Sequence, residues 1–127
     1  MLRTMTIRLC GSTLWAVALS LVFLGTALAH HGWGDYDAQN TLTLTGKILE
    51  AGYENPHGFA RLQVGGDQGK IWLAVLAPPA RMQARGLQRD ALKPGVTATI
   101  VGYPHRDKAE EMRAERITID GKTIELR

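Results

Sequence analysis

The chain has one cysteine in 127 residues, Cys10, and it precedes an apolar run instead of closing one, as a lipid-attachment cysteine does. Beyond it there is no thiol, which excludes disulfides, thiolate metal sites and cysteine nucleophiles from the rest of the chain. Acids are missing from the first 29 residues, where Arg3 and Arg8 are the only charges. Long apolar runs are missing too: residues 14–24 make about 11, short of the roughly 20 that cross a bilayer. Aromatics are few, 6% of the chain, so each one has to be accounted for. No phosphate-binding glycine loop, nucleophile elbow or HExxH zinc motif follows. Most carboxylates stand singly or beside bases, as in Arg89-Asp90 and the 113–116 stretch with Glu115, the ordinary look of surface ion pairs. These absences argue against an enzyme.

What is present begins with an address. A basic start, a short apolar run and the small-residue triplet Ala27-Leu28-Ala29 read as a secretory signal peptide over residues 1–29. Cleavage following Ala29 predicts a periplasmic or secreted protein that starts at His30 and has no membrane span. The remaining 98 residues carry 13 bases against 12 acids, a net charge of about +1. That balance lacks the basic excess of a nucleic-acid binder, so nucleic acid is not an expected partner. The length suits one domain with a modest core.

Residues 30–40, HHGWGDYDAQN, have no apolar period and read as an irregular arm anchored by Trp33. Residues 41–127 read as a small β-barrel domain. TLTLTGKILEAGY alternates, with Leu42, Leu44 and Ile48 on one side, which predicts a half-buried strand. Gly46 interrupts the apolar side, as glycine does where a strand bends or bulges. Asn55-Pro56-His57-Gly58 is a turn, followed by a strand over 59–64 and another over 70–77 whose two faces are both apolar, as in a central strand. Pro78-Pro79 predicts a short helix to Arg85 with Ala80, Ala84 and Leu87 on its packed face and Gly86 as its end. Strands over 96–103 and 112–119 follow, and Asp120-Gly121 turns the chain into a last short strand. Three strands, one short helix and two or three strands predict an all-β fold with one short helix, a small OB-fold-like, five- or six-stranded antiparallel barrel. An open antiparallel sheet crossed by a helix accounts for the same periodicities.

The ordered set Ala29-His30-His31, TLTLTG, Asn55-Pro56-His57 and the Arg85-Gly86 to Leu92-Lys93-Pro94-Gly95 block resembles a bacterial family of small secreted proteins known only as a domain of unknown function. The resemblance spans nearly all of the chain after residue 29. It implies export and a small β-rich domain, and it points to His30, His31 and His57 as the positions matching the family's His-His start and Asn-Pro-His turn. Pro78 departs from it, because a helix-capping serine is expected there.

The four histidines, His30, His31, His57 and His105, are the unusual chemical resource. Cleavage after Ala29 gives His30 a free amine beside its imidazole, a bidentate chelate for one metal ion, with His31 next to it. Nitrogen ligands of this kind favour Cu²⁺ among first-row divalent ions. The candidate metal site is therefore His30, His31 and His57, set against a terminal histidine pair that merely sits in solvent. His57 and His105 fall in loops that flank the ligand face of an OB-fold. Asp35 and Asp37 read as turn-forming aspartates. Tyr53, Phe59 and Trp72 invite stacking on a ligand, although packing into the core is the more ordinary use of such rings. The leading expectation is an exported small binding or accessory protein, with copper or another divalent metal as its sharpest form. The alternative is a metal-free interaction module that docks an unknown periplasmic partner or a glycan through its barrel face.

Overall fold

A computed structural model describes residues 31–127. The expected secretory signal at residues 1–29, and His30 with it, lies outside the described residues. A single helical turn, α1 (His31–Gly34), opens the described chain. Strands β1 (Leu42–Gly52), β2 (Phe59–Val64) and β3 (Lys70–Val75) follow, then helix α2 (Pro79–Ala84) and a 3-10 turn at Arg89–Leu92. Strands β4 (Thr97–Pro104), β5 (Glu111–Ile119) and β6 (Lys122–Glu125) complete the order. The sheet runs β3-β2-β1-β4-β5-β6 and closes on itself through β3 and β5. Five strands form an OB-fold-like barrel, and β6 is an extra strand on the outer edge of β5. The closing pair is parallel, Leu73 to Val75 against Glu111 to Arg113, while every other pairing is antiparallel.

Alternation in β1 sends Leu42, Leu44 and Ile48 toward the core, as their spacing predicts. The bulge, however, is not at Gly46. Gly46 keeps register with Val64 on one side and Ala98 on the other, and a Cβ there would collide with the Gln63 carbonyl. Its role is close approach of two backbones. The extra residue is Leu49: Ile48 faces Leu62 and Glu50 faces Arg61, so Leu49 is left 41% exposed. Past it the inward parity changes, and Ala51 and Tyr53 are the residues packed on the core. An extra residue of this kind bends a strand, and β1 is the strand shared between β2 and β4. A second bulge lies in β5, where Val101 faces Arg116 and Gly102 faces Ala114, which leaves Glu115 over. Met112 and Ala114 point inward before it, Ile117 and Ile119 after it.

β3 departs from the expected central strand. Trp72, Ala74 and Leu76 face the core, but only its second half has a neighbour on both sides, and Ile71 is 50% exposed. It is the closing strand of a barrel, not the middle of a sheet. α2 also packs differently from the expected face. Ala80 and Ala84 are exposed, and Met82 and Leu87 are buried. The reason is the length of the helix: after six residues Gly86 takes a φ of +89°, and the Leu87 N–H returns to the Met82 carbonyl at 2.8 Å. That is a Schellman reversal, which brings Leu87 back over Met82. Pro78 precedes α2 with no side-chain cap, and Pro79 opens it. Ile48, Leu62, Leu76, Met82, Leu87, Ile100, Met112, Ile117 and Leu126 fill the interior, each such side chain contributing about 1.5–3 kcal/mol by leaving water.

Residues 32–40 do not hang free of the barrel. Tyr36 pairs with His105 in an antiparallel bridge, the Asp37 N–H donates to the Pro104 carbonyl at 2.8 Å, and the Arg106 N–H donates to the Asp35 carbonyl at 2.9 Å. The arm thus extends the β4 edge and roofs the outer side of β4 and β5. Among the described residues no helix is long and apolar enough to cross a membrane.

Candidate functional site

The alternation of β5 before its bulge turns Met112 and Ala114 inward and Glu111 and Arg113 outward. Outward residues of a small barrel ordinarily meet water. These two are 9% and 7% exposed because the arm covers them. The expectation of surface ion pairs through the 113–116 stretch therefore fails at Arg113, while Glu115 keeps its pairing with Arg116 at 3.5 Å.

The cover is built from two aromatic anchors. Trp33 stands edge-on to Tyr103 at 6.2 Å and receives the guanidinium of Arg113 at 4.8 Å and that of Arg127 at 4.9 Å from its ring centre, cation–π contacts that hold the ring in place. Trp33 is thus an anchor, as expected. Tyr36 is the deeper one, 7% exposed, with its hydroxyl donating to Glu111 Oε1 at 2.8 Å and its ring edge against His105 at 5.0 Å. Burial and the Glu111 carboxylate both raise the Tyr36 hydroxyl above the usual phenol range. Lys108 Nζ lies 3.5 Å from Glu111 Oε2, so both carboxylate oxygens have partners.

Arg113 is differently placed. Its Nη2 lies 3.4 Å from His57 Nδ1. A guanidinium only donates, so Nδ1 is the acceptor and the neutral ring carries its proton on Nε2. Burial, then the charges of Arg113 and Arg81, hold His57 below the usual imidazole range. Burial also pulls Arg113 below the usual arginine range, with Arg81 acting in the same direction. No carboxylate pairs with Arg113 among the described residues, whereas Arg106 has Asp37, Arg116 has Glu115 and Glu125, and Arg127 has Glu115.

The sequence-derived candidates separate at this point. His31 opens α1. His57 joins the Arg113 cluster at the β3–β5 seam. His105 turns inward on its own loop, its Nδ1 accepting from the Asp107 and Lys108 N–H groups at 3.1 and 3.2 Å. His57 and His105 are thus held by different partners and do not share a site. Asp37 accepts from the Gln39 N–H and the Asn40 side chain, which hold its carboxyl below the usual carboxylate range, the behaviour of a turn-forming aspartate. Tyr53 donates to the Leu87 carbonyl at 2.8 Å, and Tyr53 and Trp72, both partly buried, pack on the core. Among the described residues no three His, Asp or Glu side chains gather as a metal cage. A surface groove of about 410 Å³ between Thr45, Lys47, Gln63 and Thr97 holds none of the candidate residues. Tyr36, Glu111 and Arg113 are the functional candidates that sequence reasoning did not single out.

The fold and the site define a small closed barrel with a polar cluster covered by the arm of residues 32–40. The chain belongs to the family of unknown function DUF6152, whose sequence profile matches residues 18–113. No curated protein matches the sequence. Among solved structures it is similar to a TiaS–tRNA–ATP complex, at 18% identity and a TM-score of 0.46 over 72% of this chain and 19% of that one. It is also similar to the S. pombe Stn1–Ten1 complex, at 14% identity and a TM-score of 0.48 over 62% of this chain and 57% of that one. The chain thus spans about a fifth and somewhat over half of those chains.

Proposed function

We propose that the protein is exported, loses residues 1–29 by cleavage following Ala29, and serves as a small periplasmic binding or accessory module without catalysis. In this reading it holds copper or another divalent metal through the His30 amine and imidazole, with His31 or His57 completing the set. The observation that supports it is the placing of Gly32 and His57 against different nitrogens of one guanidinium: a Cβ on Gly32 would stand 3.8 Å from Arg113 Nη1, and His57 is at Nη2. Each residue of extended chain spans at most about 3.5 Å, so the proposed set requires the two residues before Gly32 to turn toward His57. Ordering a loose arm costs about 1–2 kcal/mol per residue, and docking of Trp33 and Tyr36 meets much of that cost before any metal arrives. Arg113 opposes a cation at Nδ1, which leaves His57 Nε2 as the metal-facing nitrogen, its proton released on binding.

Two measurements test the proposal. Intact mass of the protein from the periplasm is expected to match a chain starting at His30, and a retained or differently cut start removes the terminal chelate. Calorimetric titration with Cu²⁺ then compares this protein, its His57→Ala variant and a version with one extra residue before His30. Loss of binding on extension and weakening in His57→Ala supports the bridged site, and no difference among the three ends the metal reading. The alternative, docking of a protein partner or glycan through the barrel face, draws on the exposed apolar side chains of Leu49 and Ile71.

A further inference from the structure

We infer that Arg113, with His57 and Arg81, forms a site for a small oxyanion, a carboxylate or a phosphate, apart from any metal. Arg113 is 7% exposed, and its nearest polar partner is an imidazole nitrogen at 3.4 Å, a long contact for a charged donor. A buried guanidinium ordinarily sits against a carboxylate, because an unpaired buried charge loses its hydration without compensation. The face of Trp33 offsets part of that loss, but a cation–π contact is the weaker interaction. Glu111, two residues before it, is already engaged by Tyr36 and Lys108.

Of the groups that act on Arg113, Tyr36 favours its charge and Arg81 opposes it. Arg81, on the exposed side of α2, adds a second guanidinium charge that bears on both Arg113 and the half-buried His57 of the β1–β2 loop. Two guanidinium charges set near one another repel unless an anion joins them. An oxyanion there would accept two parallel N–H bonds from the guanidinium fork, and Gly32 sets no side chain against Nη1. Half-exposed His57 gives the approach from solvent.

The test uses the protein as purified from its host, stripped of metal by chelation, so that its outcome is independent of copper binding. Acetate and inorganic phosphate are titrated separately against chloride at matched ionic strength, following the His57 ring and Arg113 Nε–H resonances. The expected result is a saturating shift of both resonances with one or both oxyanions, which also tells carboxylate from phosphate, and no comparable shift with chloride. Arg81→Glu, an exposed substitution that spares the fold, is expected to weaken binding several-fold, and Arg113→Lys to weaken it further by removing the fork. Failure of both oxyanions to saturate, a shift that chloride reproduces, or affinity unchanged in Arg81→Glu would each overturn the inference.

Discussion

The Tyr36 hydroxyl reaches across 75 positions of sequence to donate to Glu111 at 2.8 Å. This bond joins the arm to the outer face of β5, and it is the reason a carboxylate can sit 9% exposed on a barrel's outside. Tyr36→Phe keeps the ring and removes the donor. A buried acceptor that loses its partner costs about 1–3 kcal/mol, so Tyr36→Phe is expected to lower unfolding free energy in urea by about that amount. Glu111→Gln in the same background is expected to cost less than it does alone, because the two changes break one bond. Equal, additive losses would mean that the contact contributes nothing of its own.

Tyr36 also predicts the alkaline limb. Its folded-state hydroxyl is raised above an unfolded value of about 10. Above that value the unfolded chain gives up its proton first, so the stability this group lends is complete below pH about 10 and is lost as pH rises toward the folded value. Denaturation midpoints measured from pH 8 upward are expected to fall in the parent protein and to fall less in Tyr36→Phe.

His57 sets the acid limb with the opposite sign. Its folded-state affinity for protons is depressed, by burial first and then by Arg113 and Arg81. The unfolded chain therefore takes up the proton first, near pH 6.5. The associated stability is present above that pH and is lost as pH falls from 6.5 through the folded value. An NMR titration is expected to place His57 below the ordinary histidine midpoint in the parent and to move it upward in Arg81→Ala. A midpoint that does not respond would show that Arg81 does not act on the ring.

Much of this fold was legible because alternation is local. The Leu42-Leu44-Ile48 row, the proline start of α2 and the Gly86 reversal are each decided by a few adjacent residues. The misread positions depend on distant partners. Leu49 looks like one more apolar residue until the register against Leu62 and Arg61 is known, and Gly46 looks like a bulge until the Gln63 carbonyl is seen beside it. Arg113 has the sequence surroundings of a surface base, since nothing in its own stretch says that Trp33, 80 positions earlier, lies over it. The site was thus visible as far as His57, whose turn marks itself, and hidden where it depends on what covers an outer face.

Gly46 offers a direct check on the close approach of β1 and β2. Gly46→Ala places a Cβ against backbone, which cannot swing aside as a side chain can. Overpacking of this kind typically costs 1–3 kcal/mol, and a loss of about 2 kcal/mol is expected by urea denaturation. A change near zero would mean that the two strands separate readily at that point.

The last prediction couples the arm to the proposed copper site. If docking of the arm is what brings the processed terminus beside His57, then releasing the arm must weaken the metal without touching any ligand. Trp33→Ala removes the ring that meets Tyr103, Arg113 and Arg127, while Tyr36 still ties residues 35–37 to β4. Residues 32–34 are then ordered only on metal binding, at about 1–2 kcal/mol each. Since 1.4 kcal/mol is a factor of ten in affinity, Cu²⁺ binding to Trp33→Ala is expected to weaken by at least about tenfold in calorimetry. The pH dependence should persist, with affinity falling as pH drops through the histidine range near 6.5, because the same imidazoles still compete with protons. The double variant Trp33→Ala/His57→Ala is expected to bind no more weakly than the weaker single variant, since an undocked terminus no longer reaches His57. Full additivity of the two losses would mean that His57 and the arm act independently, and would overturn the view that docking of the arm brings the terminus to His57.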